Sequence, residues 1–249
     1  MHHRQPTSRR AFMMDLGRGT LAVAILGLTT LACADGEEGS AATGAATPRP
    51  VGTGPVSWER VNLGFVSAYI LARGGEAAVV DTGVAGSEGD IEAGLTRIGL
   101  GWSDVGHVII THLHADHQGS LGPVMDAATD AIGYAGTADL PEIESPRAMT
   151  AVGDGHRVFG LEIIDTPGHT PGHISVLDPA GGLLVAGDAM TGADGGVGGA
   201  NPGFTADMAA ANRSIRKLAG LSFDTVLFGH GEPVIGGADA QVAAFAATL

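Results

Sequence analysis

The segment ITHLHADHQGS, residues 110–120, places His112, His114, Asp116 and His117 within six consecutive positions. Neutral imidazole nitrogens and carboxylate oxygens suit zinc, and iron or manganese can occupy the same kind of donor set. More candidate donors follow in DTPGHTPGH (His169, His173), VAGDAM (Asp188) and LFGHGEP (His230), with Asp81 upstream in DTG. Each group stands just behind an apolar, strand-like run, so loops at one end of the sheets can bring the groups together. Two divalent ions about 3.5–4 Å apart share one water and lower its pKa toward ~7, which makes a hydroxide nucleophile without a base side chain.

The elements that must position these residues can be read from periodicity. VNLGFVSAYILA and EAAVVDTG are apolar, β-branched runs joined by RGG, which predicts a hairpin leading into Asp81. In SEGDIEAGLTRIGL, Ser87 is a candidate cap and Ile91, Leu95 and Ile98 have helical spacing. VGHVIIT reads as a short buried strand that delivers the histidine cluster. SLGPVMDAA opens a helix and AIGYAG is a further strand. Pro141 and Pro146 make TADLPEIESPRAMTAV a broken helix or a crossing loop. RVFGLEIIDTPG, HISVLDP and GLLVAGDAM are strand-like. TADMAAANRSIRKLAGL is a helix with Thr205 as its expected cap, DTVLFGHG a last strand, and GADAQVAAFAATL a closing helix. The glycine-rich stretch 191–204 is either a mobile lid or a flexible connection. No internal repeat is visible. Strands in runs with helices interposed predict an α/β protein with two sheets and helices on their outer faces.

With these motifs assembled, the chain resembles the metallo-β-lactamase superfamily of hydrolases. Asp81, the HLHADH segment, His169, Asp188 and His230 occur in the family's order over residues 81–230. The resemblance implies a four-layer αβ/βα sandwich of two mixed sheets, with metals at one edge between them. It also implies two divalent metal ions per chain, zinc foremost. By motif position, His112, His114 and His169 would hold one ion, Asp116, His117 and His230 the second, and Asp188 would bridge both. Asp116 and Asp188 would then be the catalytic carboxylates, with Asp116 also able to orient the nucleophile. The first histidine of GHTPGH is the family's ligand, so His173 is expected to support the site from behind. Asp81 is expected as a buried partner that orients it. His107 and His156 read as structural or exposed.

The N-terminal 34 residues have a different character. Basic Arg4, Arg9, Arg10 and Arg18 precede an apolar run from Leu21 to Ala32 and then small residues. A spanning helix needs about 20 apolar residues, so this run is too short and an export signal is expected. SRRAFM resembles a twin-arginine signal. Cys33, the only cysteine, follows TLA in a segment resembling a permissive lipobox, with Thr30 where leucine is commonest. Ala32 and Ala34 also form an A-x-A cleavage site, which would give a soluble secreted protein. The lipoprotein is the favoured outcome, at the cell surface or in the periplasm, with the membrane engaged only through the lipid. Residues 35–55 are a low-complexity tether, which leaves 56–249 as the folded domain, without a disulfide. The formal net charge is −14 over the whole chain, and the leader carries more base than acid. Nucleic acid is therefore excluded as a partner, because phosphate neutralisation needs a basic surface.

Fold alone does not give the substrate. Within the family resembled, true β-lactamases lack the bridging aspartate, so Asp188 weighs against β-lactam hydrolysis, which stays as the alternative. Hydroxyacylglutathione hydrolases carry a helical C-terminal domain that the stretch after His230 is too short to supply. Persulfide dioxygenases use one iron and fewer ligands. A zinc-binding module without catalysis is a further alternative. The expectation is an exported hydrolase of a small ester, lactone or thioester. Residues 191–204 contain no Lys or Arg to clamp a strongly anionic substrate.

Overall fold

The computed structural model describes residues 54–193 and 195–249. The leader, Cys33 and nearly all of the tether lie outside the described residues.

The strands are β1 (Ser57–Asn62), β2 (Ser67–Arg73), β3 (Glu76–Val80), β4 (Val105–Ile110), β5 (Ile132–Gly136), β6 (Thr150–Val152), β7 (Arg157–Val158), β8 (Leu161–Asp165), β9 (Ile174–Asp178), β10 (Leu183–Gly187), β11 (Met190–Ala193), β12 (Gly196–Gly199), β13 (Thr225–Phe228) and β14 (Val234–Ile235). The helices are α1 (Glu88–Arg97), α2 (Ala115–Gln118), α3 (Leu121–Ala127), α4 (Met208–Leu218) and α5 (Ala238–Ala246). One sheet has the order β1-β2-β3-β4-β5-β6 and the other β14-β13-β10-β9-β8-β7, while β11 and β12 pair separately. Both large sheets are mixed. The first turns parallel from β3 onward, and the second is antiparallel except for β10 against β13.

Alternation along each strand separates the layers, because successive side chains point to opposite faces. Tyr69, Leu71, Val80 and Ile109 of the first sheet meet Ile163, Val176, Val185 and Leu227 of the second in one buried cluster. Their neighbours Ile70, Val79, Val108 and Ile110 face outward onto Ile91 and Leu95 of α1 and Leu121, Val124 and Met125 of α3. On the other side Leu177, Leu184, Val226 and Phe228 pack with Ile215 and Leu218 of α4 and Val242 of α5. Helix, sheet, sheet, helix: this is the αβ/βα sandwich expected from the sequence.

Several local expectations need correction. VNLGFVSAYILA is two strands, because Leu63 N–H bonds Val66 O and Gly64 takes a φ of 92° to turn the chain. Ser87 precedes α1 without a side-chain cap; its backbone N–H donates to Ser120 Oγ instead. Ile98 lies past the helix end and is exposed. The cap of α4 is Asp207, which accepts from Ala210 N–H, and this leaves Thr205 free for another task. The ambiguous stretch after β5 crosses as a 3-10 turn (Leu140–Glu142) and extended chain before β6. A short β14 follows the strand expected to be last. The glycine-rich 191–204 segment begins as the β11–β12 hairpin, anchored where Gly192 N–H donates to His230 O.

The two sheets are also stitched by polar bonds. The buried Tyr69 hydroxyl donates to Phe228 O at 2.7 Å, and Ser67 N–H to Gly229 O at 2.9 Å. Burial pushes the Tyr69 phenol up to about 12 from the ordinary 10.0. Because the folded value is the higher, its contribution is intact below about pH 10 and is lost as pH rises through about 12. Tyr69→Phe should therefore lower the unfolding free energy by about 1 kcal/mol in urea at neutral pH. It should also remove part of the alkaline destabilisation; an unchanged midpoint at both pH values would contradict this.

Candidate metal centre

The predicted site residues converge at one end of the two sheets. His112 and His114 leave the end of β4, Asp116 and His117 lie on α2, and Asp81 ends β3. His169 follows β8, Asp188 follows β10 and His230 follows β13. Short loops at the C-terminal ends of strands thus carry all the donors to one place.

Hydrogen bonds on the far side of four of the five donor rings set their tautomer and aim. Asp81, itself held at a φ of 61°, accepts from Thr111 N–H at 2.7 Å, Thr111 Oγ1–H at 2.8 Å and His117 Nδ1–H at 2.8 Å. A positive φ is costly for a side chain other than glycine and persists only where surrounding bonds fix it. Thr111 Oγ1 then accepts from His112 Nδ1 at 3.0 Å. His169 Nδ1 donates to Thr205 Oγ1 at 3.1 Å, and His230 Nδ1 to Phe65 O at 2.6 Å. In all four rings Nε2 is left pointing into the cluster.

The inward atoms form overlapping groups. His112 Nε2 and His169 Nε2 stand 3.0 and 2.9 Å from His114 Nδ1. Asp188 lies between the halves: Oδ1 is 3.4 Å from His117 Nε2, and Oδ2 is 3.4 Å from His169 Nε2 and 3.2 Å from His230 Nε2. Asp116 Oδ2 is 3.3 Å from His230 Nε2 and 3.8 Å from His117 Nε2. Three donor sets have ligand atoms within 4.8 Å of one another: His112–His114–His169, His112–His117–Asp188 and Asp116–His117–His230.

His173 is placed differently. Asp188 N–H donates to its Nε2 at 3.0 Å, and its Nδ1 donates to Thr166 Oγ1 at 2.8 Å. Thr166 and Ser175 continue the chain to Ala186 O. Both ring nitrogens are thus occupied, and His173 braces the backbone that carries Asp188. His107 meets Tyr134 and Glu76 away from this cluster, and His156 is exposed with its ring against Gly153.

The electrostatics suit a cation. Burial drives His112 well below its ordinary range, aided by neighbouring histidines, and brings His169 down to about 4 and His173 to about 3. Burial would raise Asp188, but the His230 hydrogen bond and nearby imidazoles bring it to about 2. Burial would lower His117, but Asp81 outweighs it and raises the ring. Hydrogen bonds to Asp116 and then Asp188 lift His230 to about 10, and the His230 bond in turn lowers Asp116. His117 Nε2 and Asp188 Oδ1 are buried without a hydrogen-bond partner. Unpaired buried polar atoms are costly, and a cation accepts both lone pairs. Gly229 keeps this spot clear, since a Cβ there would stand 2.1 Å from Asp188 Oδ1. The donors present therefore fit divalent metal.

The mouth of the cluster is a cavity of about 410 Å³, lined by Phe65, His114, Ala115, Asp116, Asp188, Thr191, Asn201, Phe204 and His230. Phe65 and Phe204 are 63% and 69% exposed, and Phe65 stacks on His230 with ring centroids 6.0 Å apart. Thr111, Phe65 and Phe204 are functional-site residues that the sequence motifs do not mark. Thr111 had a visible signal, being the residue directly before His112; Phe65 is hidden inside the apolar run VNLGFVSAYILA, and Phe204 ends a glycine-rich stretch that shows no pattern.

A two-sheet sandwich with histidine and aspartate donors at one edge defines a class, and comparison with known proteins gives its name. The sequence profile of the metallo-beta-lactamase superfamily matches residues 61–230, and the chain belongs to that superfamily. It is 34% identical over 177 residues to a hydroxyacylglutathione hydrolase of Dechloromonas aromatica, covering 68% of this chain and 60% of that protein's length. A probable metallo-hydrolase of Bacillus subtilis, YflN, is 29% identical over 202 residues, covering 64% of this chain and 76% of its own. Among solved structures, TTHA1623 in a di-iron-bound form is 27% identical with a TM-score of 0.58, covering 71% of this chain and 93% of that one.

At neutral pH the raised His230 carries a proton that a cation must displace, whereas a neutral ring binds directly. Zinc added to metal-free protein at pH 7 should therefore release protons, and apparent affinity should rise with pH. His230→Ala should release fewer. Binding enthalpies independent of buffer ionisation heat would contradict this.

Proposed function

We propose that the chain is a metal-dependent hydrolase of a small, uncharged ester, lactone or thioester. The observation that carries this reading is the cavity: four of the seven metal-capable donors, His114, Asp116, Asp188 and His230, line it, aromatic rings flank its mouth, and no Lys or Arg is among its described lining residues. In this reading His112, His114 and His169 hold one divalent cation and Asp116, His117 and His230 a second, with Asp188 between them. Such cations supply Lewis acidity and activate water near neutral pH. Zinc is the metal we favour, and a similar fold carrying two irons keeps iron open.

The chain's own residues set the selectivity. Phe65 and Phe204 offer apolar surface to an acyl group or ring. Asn201 and Thr191 are the uncharged polar side chains of the wall, suited to a carbonyl or a departing oxygen or sulfur. No Lys or Arg is among the lining residues, so beyond the metals themselves an anionic substrate finds no side-chain cation to pair with its charge. Penicillins and cephalosporins carry a carboxylate, and glutathione thioesters are anionic, so both fit this wall less well than neutral substrates. Behind the leader read from the sequence, the activity would be directed out of the cytoplasm.

The test is a kinetic comparison on zinc-loaded protein. Neutral aryl esters, lactones and simple thioesters should be cleaved with kcat/KM at least about tenfold above benzylpenicillin and S-lactoylglutathione, a modest discrimination for one unfavourable charge. A β-lactam turned over faster than every ester and lactone would overturn the assignment. Metal-loaded protein inert on the whole panel would favour a binding module instead.

A further inference from the structure

The bonds behind His112 and His169 aim those rings, but they do not set the distance between the two loops that supply the His112–His114–His169 triad. His112 and His114 come from the first sheet, at the end of β4. His169 comes from the second, between β8 and β9. One backbone bond, Ile174 N–H to Thr111 O at 2.9 Å, ties these regions near their strands.

Closer to the rings, the link is a side chain from a third segment. Asp139, fully buried in the crossing stretch after β5, accepts from Leu113 N–H with Oδ2 at 3.1 Å. The same oxygen accepts from the Thr170 hydroxyl, and Oδ1 accepts from Gly172 N–H at 2.6 Å. Leu113 lies between His112 and His114, and Thr170 directly follows His169. The segment that carries Asp139 also meets the His169 loop backbone to backbone: a Cβ on Gly136 would stand 1.8 Å from Gly172 O, and one on Gly172 would stand 2.2 Å from Asp139 N.

The geometry points to Asp139 as the positioning residue that holds the two halves of this triad at ligand spacing, an assignment that rests on the triad's being a metal site. The second donor set, Asp116–His117–His230, receives no bond from Asp139; its rings are fixed through Asp81 and Phe65. The role needs a carboxylate. An asparagine has one acceptor oxygen, and its amide nitrogen would face either Gly172 N–H or the pair from Leu113 and Thr170. Loss of Asp139 should therefore weaken one metal position selectively, as removal of groups that orient ligands typically costs about 10–100-fold in metal affinity.

The experiment measures zinc affinity by competition with a chromophoric chelator for the wild type, Asp139→Asn and Thr170→Val. Cadmium-113 NMR of the same proteins identifies the position affected, with resonances assigned through His169→Ala and His117→Ala. Asp139→Asn should bind one ion about 10–100-fold more weakly and lose or shift the resonance that His169→Ala abolishes. The other resonance should persist. Thr170→Val, which removes one of the three bonds, should act in the same direction to a smaller extent, and it decides the matter if Asp139→Asn does not fold. Folded variants that keep wild-type affinity at both positions would overturn the inference, as would equal losses at both, the mark of a merely structural residue. A wild type that binds no metal would sink the metal-site reading and this inference together; a wild type that binds two while the variants are unaffected would sink the inference alone.

Discussion

The carboxylate of Asp81 accepts three hydrogen bonds behind the donor cluster, and much of the local structure can be traced from them. Two come from Thr111, the last residue before the histidine segment, and one from His117. Thr111 passes the constraint to His112, so one buried carboxylate orients rings in both proposed metal positions. The cost is a backbone φ of 61° on a residue with a side chain, a strain that hydrogen bonds from two segments over-determine. With Thr205 and Phe65 bonding His169 and His230 in the same way, four imidazoles are each left one free nitrogen, and all four point into the same space.

That space sets up an electrostatic conflict. Burial favours neutral rings for His112 and His169, while Asp188 and Asp116 keep His230 protonated. Lone pairs crowd together at one end of the cluster, and a shared proton binds the other. Divalent cations resolve both conditions by accepting the lone pairs and replacing the proton. The sandwich serves this end, because a parallel turn in each sheet lets several strands end side by side, where short loops meet.

Much of this was legible in the sequence because the chemistry sits at strand ends. Apolar runs such as VGHVII and LLVAG have few other places to go than a buried strand, and the polar residue that follows marks an end. The donor residues stood out by type and spacing, and the structure brings them together, with His173 behind them. What was not legible depended on competition between local options. Thr205 has the chemistry of a helix cap but is taken by His169, and Asp207 caps the helix two residues later. The β11–β12 hairpin was hidden because glycine-rich sequence looks alike whether it is loose or packed against a neighbouring backbone. Asp139 lay in a stretch whose prolines signalled only interruption. Its partners, three residues from two distant loops, become neighbours only after both sheets have formed.

The proposed metal centre holds two divalent cations that share Asp188. Diffraction from zinc-loaded crystals, collected at wavelengths on either side of the zinc absorption edge, tests it directly. Two anomalous peaks per chain are predicted. One should lie within bonding distance of His112, His114 and His169, the other of Asp116, His117 and His230, and both should contact the Asp188 carboxylate. A single peak, or two peaks with Asp188 bound to only one of them, would contradict the account.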